Sequence, residues 1–196
     1  MTLQERVDSY TATFPEYPDS WPWVSHTGRW LNGIWLGGNN YKGNGYYGSY
    51  PPWYLPRVRA LFPDVPREEW LHLYSGSLDY DEGGWRVELR GPGDGVTVPH
   101  VQADCRALPF LAARFRLYAA DPPYTDLDAE AYHTPPGLNK PLVLREAARV
   151  VQRGGYLVWL DTSLPTYSGD EWRHFGMICV QRSANHRTRL CSLFER

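Results

Sequence analysis

Asp121-Pro122-Pro123-Tyr124 puts a carboxylate, two prolines and a phenol into four consecutive residues. A carboxylate accepts one N–H of a planar amino group, the carbonyl of Pro122 accepts the other, and the ring of Tyr124 offers a face for stacking. With both hydrogens engaged, the nitrogen lone pair faces whatever electrophile lies opposite. The preceding run, Arg114-Phe115-Arg116-Leu117-Tyr118-Ala119-Ala120, has the apolar and aromatic character of a buried strand. The prolines stop its ladder, because proline has no N–H to donate. Ligands of an open α/β sheet bind beyond the carboxyl ends of its strands, so the tetrapeptide falls where a site belongs. For these four residues alone, a turn with Asp121 capping the next helix is the alternative.

Three further strand ends carry polar residues. Trp70 to Tyr74 predicts a short strand ending in Ser75-Gly76-Ser77, where Gly76 lets the backbone approach a ligand and the serines can donate. Ser-Gly-Ser is also an ordinary turn. Trp85 to Leu89 predicts a second strand, and Glu88 near its end could accept both hydroxyls of a ribose, or stand as a solvent-facing edge charge. Val96 to Gln102 predicts a third, followed by Asp104, which otherwise reads as a helix cap. The successive order of Ser-Gly-Ser, Glu88, Asp104 and Asp121 points to one crevice more strongly than any member does.

In this setting Asp-Pro-Pro-Tyr resembles the catalytic motif of the S-adenosylmethionine-dependent amino methyltransferases, the adenine-N6 and cytosine-N4 DNA enzymes, in a phage-like minimal form. The resemblance covers roughly residues 46–196. It implies catalysis by Asp121, Pro122, Pro123 and Tyr124, with S-adenosyl-L-methionine as cofactor. The family's cofactor loop, Asp-Pro-Phe-x-Gly-Ser-Gly, is matched by His72-Leu73-Tyr74-Ser75-Gly76-Ser77-Leu78, so its acid is His72 and its last glycine Leu78. Tyr74, Ser75, Gly76, Ser77 and Cys105 would then hold the cofactor, with Glu88 on its ribose and Asp104 on its adenine, walled by Leu108 and Phe110. Tyr47-Gly48-Ser49-Tyr50-Pro51-Pro52-Trp53-Tyr54 resembles the segment preceding that loop. There Tyr47, Ser49 and Tyr50 would cover the methionine end, or simply pack at the sheet's edge.

The implied reaction is methyl transfer to the exocyclic amine of a nucleobase, with adenine N6 in DNA the first expectation. RNA (guanine N2 or adenine N6) is the second, and a non-catalytic methyltransferase-like binding subunit the third. A base in a duplex would have to be flipped out. No metal is required, and the six histidines show no ligand spacing. Only Gly91–Pro99, Thr125–Leu138 and the N-terminal loops are available for target recognition, which leaves room for a separate recognition partner. Trp21, Trp23, Trp30, Trp35 and Tyr41, with Arg29 and Lys42, could stack on bases or seal a small core. Arg182, His186, Arg187 and Arg189 form either a phosphate-facing patch or a solvated turn.

These residues need a scaffold, and the composition supports one. At 196 residues, 42% hydrophobic and 21% charged, the chain suits a single globular domain. With 20 basic against 22 acidic residues, no whole-molecule field draws in nucleic acid. Cys105, Cys179 and Cys191 have neither metal spacing nor an even count, as expected of thiols in a reducing compartment. With no apolar run after Met1 and no membrane-length segment, the expectation is a cytoplasmic protein without membrane contact.

Residues 1–13 predict a short helix or loose tail, and Phe14–Gly48 an ordered aromatic loop. Together residues 1–45 form an aromatic, Gly-rich extension packed on the methyltransferase domain at 46–196. Tyr54–Phe62 predicts helical turns after Pro51-Pro52, and Asn139–Gln152 a helix terminated by Gly154-Gly155. Tyr156–Leu160 predicts a strand covered on both faces, and Phe175–Gln181 with Arg189–Phe194 a closing antiparallel pair. The fold class is α/β: a Rossmann-like class I methyltransferase sheet, mostly parallel with an antiparallel C-terminal hairpin. Ten residues, Ser75–Gly84, join the first two strands, too few for a full crossover helix, so that helix is reduced to a turn or loop.

Overall fold

A strand that is apolar at every position needs cover on both faces, and the centre of this sheet has it. The computed structural model describes residues 1–15, 21–37, 50–91, 93, 95–182 and 187–196. In β6 (Phe115–Ala120), Leu117 and Ala119 join one core while Tyr118 and Ala120 join the other. In β7 (Val151–Asp161), Tyr156, Val158 and Leu160 alternate in the same way with Leu157 and Trp159. Period-two alternation thus feeds two cores at once.

The first core is closed by α1 (Leu3–Thr13) and α2 (Tyr54–Leu61), with Tyr10, Tyr54, Val58 and Leu61 packed onto the sheet. Thr2 and Glu5 form a capping box that starts α1. The second core is closed by α4 (Lys140–Val150) through Val143, Leu144, Ala147, Ala148 and Val150. Asn139 caps α4 by accepting the Leu142 N–H at 3.2 Å.

The sheet has nine strands in the order β1-β2-β8-β9-β7-β6-β3-β4-β5. The remaining strands are β1 (Pro22–Val24), β2 (Leu31–Leu36), β3 (Trp70–Leu73), β4 (Trp85–Glu88), β5 (Val101–Gln102), β8 (Arg173–Gln181) and β9 (Arg189–Glu195). Only β1 and β9 run against the others. This is a mostly parallel Rossmann-like sheet with an antiparallel C-terminal hairpin. The chain builds outward from β3 to β4 and β5, then returns to place β6 on the other side of β3. That reversal is a topological switch point, and the crevice beyond it is where such sheets bind ligands. Between β3 and β4 the chain forms one 3-10 turn at Tyr80–Glu82 and no α-helix.

Two expectations need correction. The segment read as loop from Phe14 contains β1 and β2, and β2 pairs in parallel with β8 inside the sheet. Leu31, Gly33 and Trp35 face inward, but Asn32 and Gly33 disguise the alternation; a Cβ on Gly33 would come within 3.0 Å of Ile178 Cγ1. Gly154-Gly155 does not end α4, which stops at Val150. The two glycines lie inside β7, where pairing with β6 slips from Phe115–Val151 to Leu117–Tyr156. The extra residues bulge out of the ladder there.

Candidate active site

The site begins where β3 breaks. Tyr74 takes φ of 56° and Gly76 φ of 47°, which turns the chain across the end of β4. The Gly76 N–H then donates to Glu88 Oε2 at 3.0 Å. The N–H groups of Leu89 and Arg90 donate to Oε1 at 3.0 and 3.4 Å. The carboxylate is therefore buried and fixed by backbone donors from both sides, a geometry that suits a binding group.

Asp104 follows β5 and accepts from the Arg106 backbone and guanidinium, each at 2.9 Å. The hydrogen-bonded Arg106 holds its carboxyl below the usual range. The Cys105 thiol meets the Tyr74 hydroxyl at 3.1 Å, and burial pushes that thiol up to about 11.

Asp121 ends β6. The Tyr124 hydroxyl donates to its Oδ1 at 2.6 Å and in turn accepts from Arg189 Nη1 at 3.3 Å. Asp121 keeps part of its surface in a hollow but is crowded elsewhere, and burial pushes its carboxyl up to about 6. Arg189 and the Tyr124 hydrogen bond pull the other way, while Asp161 and Asp128 add to the rise.

Two adjoining hollows lie over these strand ends. The larger, about 580 Å³, is lined by Tyr74, Glu88, Asp104, Cys105, Pro123 and Leu138, among others. The smaller, about 300 Å³, is lined by Tyr74, Glu88, Arg90, Asp121, Pro123, Tyr132 and Thr134. Tyr74, Glu88, Pro123 and Thr134 wall both, so Asp104 and Asp121 face one continuous crevice from its two ends. Its roof is the segment after α3 (Asp126–Ala131). Thr134 N–H bonds Ala129 O at 2.9 Å and Gly137 N–H bonds Asp126 at 2.7 Å, fastening that segment down.

Other expected site residues fall elsewhere. Tyr47 and Ser49 lie outside the described residues, as do Tyr41, Lys42 and His186. Leu108 is buried in the second core, and Phe110 packs edge-on against Trp85 and Phe115, so neither walls a hollow. Ser75 is buried with its Oγ unpartnered, and neither Ser75 nor Ser77 lines a hollow. Tyr50 stacks on Tyr54 with ring centroids 5.2 Å apart and packs against the first core, lining neither hollow. Pro122 is buried beneath the turn. Tyr124 lines neither hollow, because its hydroxyl is turned onto Asp121. His72 is a buried strand residue. Of the tryptophans, Trp35 is sealed in the first core, Trp30 bonds Asn32, and Trp21 and Trp23 are exposed.

Three residues escaped sequence reasoning. Tyr132 lines the smaller hollow and carried no motif. Asp161 is fully buried at the end of β7 and ion-paired with Lys140 at 2.7 Å; the strand-end rule applied to that strand finds it. Arg189, read as part of a surface patch, is 8% exposed and sits behind Asp121 and Tyr124. Its neighbour Arg187 is ion-paired with Asp128 at 2.8 Å.

Among the described residues no group of three His, Cys, Asp or Glu could hold a metal, and no helix is long and apolar enough to cross a membrane. No protein-family model matches the chain, and no curated protein matches it. Several solved structures are similar. The antibiotic-resistance methyltransferase Kmr is 16% identical, with 76% of this chain and 95% of Kmr covered, at a TM-score of 0.41. An S-adenosylmethionine-dependent methyltransferase from Mesorhizobium loti is 19% identical, covering 54% and 51%, at 0.34. The Pyrococcus abyssi tRNA (uracil-54, C5)-methyltransferase in complex with S-adenosyl-L-homocysteine is 11% identical, covering 97% and 65%, at 0.46. The chain thus spans less than two thirds of the latter two proteins. With every TM-score below 0.5, none of the three decides the fold, which rests on strand order and direction.

Proposed function

We propose that this chain is an S-adenosylmethionine-dependent methyltransferase acting on the exocyclic amino group of a nucleobase, with adenine N6 in DNA as the first candidate. One observation carries the reading: Glu88, Asp104 and Asp121, from three different strand ends, open into one crevice at the switch point. The larger hollow has the size and lining of a small-molecule site, mostly apolar with a few convergent polar groups.

The residues present fit the cofactor in part. Glu88 has a carboxylate already oriented by backbone donors, suited to accept ribose hydroxyls. Asp104 also lines the hollow, but both of its oxygens accept from Arg106, so an adenine amino group would have to share or displace that pairing. The Gly76 N–H is committed to Glu88, so it is not the donor for the amino-acid end; that contact falls to other groups. When bound, S-adenosylmethionine supplies a methyl on a positively charged sulfur.

The chain's own contribution is positioning. Tyr124 occupies Asp121 Oδ1, and Oδ2 has no hydrogen-bond partner among the described residues. That oxygen accepts one N–H of the acceptor amine, and the Pro122 carbonyl accepts the other. Both bonds strengthen as positive charge develops on the nitrogen during transfer. Holding the amine in line is where most of the acceleration arises. Tyr74 and Tyr132 provide aromatic walls for the base, since the Tyr124 hydroxyl is tied to Asp121. Any duplex substrate is flipped into the smaller hollow. A separate partner would supply target recognition beyond what the roof segment offers.

The absence of an α-helix between β3 and β4, together with the committed Gly76 N–H, favours a second reading: a methyltransferase-like subunit that binds nucleic acid without catalysis. Radiolabelled methyl transfer onto mixed DNA and RNA, followed by nucleoside digestion and mass identification, separates the readings. N6-methyladenine in the DNA fraction supports the first. Label in RNA alone moves the substrate, and no label with no calorimetric binding of S-adenosylmethionine supports the second.

A further inference from the structure

Arg189 is a buried guanidinium that forms no ion pair with any carboxylate among the described residues. It is 8% exposed, its Nη1 donates to the Tyr124 hydroxyl at 3.3 Å, and its Nη2 is buried with no partner. The other cations nearby are committed: Lys140 to Asp161 and Arg187 to Asp128, while Arg90 lies 3.8 Å from Glu88. A polar group left this incompletely satisfied in a core calls for a functional reason.

We propose that Arg189 is the positioning residue of this site: its guanidinium holds the Tyr124 hydroxyl, and the hydroxyl holds one oxygen of Asp121, leaving the other for the acceptor amine. The proposal rests on the transfer reading above. The chain of contacts runs from β9 through the Asp-Pro-Pro-Tyr turn to the end of β6, so it fixes the carboxylate from the side away from the hollow. It also supplies the positive charge that Asp121 otherwise lacks. Around Asp121 stand Tyr124 on its own turn, Asp128 on α3, Asp161 on β7 with its Lys140 on α4, Cys191 on β9, Tyr54 at the start of α2 and Tyr50 in the segment before it. Both of those aspartates oppose its ionisation, and Arg189 is the facing cation that favours it.

The test has two arms that fail separately. Carboxyl carbon NMR of Asp121 in the full chain without cofactor measures its titration directly. Arg189→Met should move the midpoint up by about one pH unit or more, as expected for removal of a close opposite charge. Tyr124→Phe should also raise it, by less. In methyl transfer, the acidic limb of the Arg189→Met rate profile should move by the same amount. Activity should recover at high pH, and affinity for S-adenosylmethionine should stay unchanged. Arg189→Lys, which keeps the charge but not the fork, should restore part of the midpoint and serves if the Met variant does not fold. An unchanged Asp121 titration overturns the proposal. So does a loss of rate that is equal at every pH, the mark of a merely structural arginine. If the unmodified protein transfers no methyl, the functional reading falls while the NMR arm still decides the role of Arg189.

Discussion

Glu88 Oε2 accepts the Gly76 N–H at 3.0 Å, joining the end of β4 to the turn that leaves β3. The other oxygen, Oε1, accepts from Leu89 and Arg90. A carboxylate can serve both sides because each oxygen is an acceptor, and an amide cannot, because one end of it is a donor.

Glu88→Gln therefore sets an N–H₂ against a backbone N–H whichever way the amide points. We expect a loss of about 1–3 kcal/mol in stability and at least a tenfold loss in S-adenosylmethionine affinity. Urea denaturation and calorimetric titration check the two separately. Unchanged affinity in a stably folded variant would remove Glu88 from the cofactor site.

Asp121→Asn tests the acceptor end. Burial pushes the Asp121 carboxyl up to about 6, from an ordinary value near ~4. Between those values the folded chain binds more protons than the unfolded one. The group's contribution to stability is thus present below about 4 and lost as pH rises toward 6. Asparagine removes the charge that the fold disfavours. At pH 8 the variant should be more stable than the unmodified protein by about 1–2 kcal/mol, the half-buried position taking the low end of the shift. The gap should close by pH 4. Methyl transfer should fall by about 10²-fold or more, because a neutral amide is a weaker acceptor for developing positive charge. Thermal melts at the two pH values decide the first half; equal melting points at both would contradict it.

How far the sequence exposed this architecture depends on where the signal was local. β6 from Leu117 onward and the core of β7 are continuous apolar runs, and Glu88, Asp104 and Asp121 at the ends of β4, β5 and β6 line adjoining hollows, whereas Ser75 and Ser77 after β3 line neither. β2 was hidden because Asn32 and Gly33 break its hydrophobic alternation, and only the close approach of Ile178 shows why glycine is needed. Leu108 was drawn to the adenine by the family pattern, yet burial in the second core claims it. Arg189 could not be found at all from spacing. Its meaning comes from β9 pairing antiparallel with β7 two strands from β6, which brings residues 121, 124 and 189 together at one end of the sheet.

His72 makes an opposite pH prediction. It stands where the family pattern has an acid, but it lies beside Arg86 across β3 and β4, 1% exposed, with both ring nitrogens unpartnered. Burial pushes its imidazole down to about 3, with Arg86 and Arg59 adding to the effect. Here the folded chain binds fewer protons than the unfolded one. Stability is present above about 6.5 and lost as pH falls, at up to about 1.4 kcal/mol per pH unit. His72→Leu removes both the proton and the unpaired nitrogens. It should raise stability by about 1–3 kcal/mol at pH 5, with a smaller gain at pH 7.5. Denaturant titrations at those pH values are the measure, and a destabilised variant at pH 5 would show that His72 has a partner in solution.

Gly154 and Gly155 allow the bulge of β7 to be tested one atom at a time. Gly154 has φ of +74° with open space where a Cβ would stand, and its N–H bonds Arg196 O at 2.8 Å. Gly155 is crowded instead: a Cβ there would lie 2.7 Å from Val151 Cγ1 and 2.9 Å from both Arg116 O and Gln152 O. Gly154→Ala therefore carries only backbone strain and should cost about 1–2 kcal/mol. Gly155→Ala must push the β6 backbone away or widen the bulge, and should cost about 1–3 kcal/mol or more. The distinguishing readout is amide hydrogen exchange in β6 and β7. Gly155→Ala should speed exchange at the start of both strands, where the register slips, while Gly154→Ala leaves β6 protected. Equal loss of protection in the two variants would mean that the slip between Phe115 and Leu117 is not held by the glycine at 155.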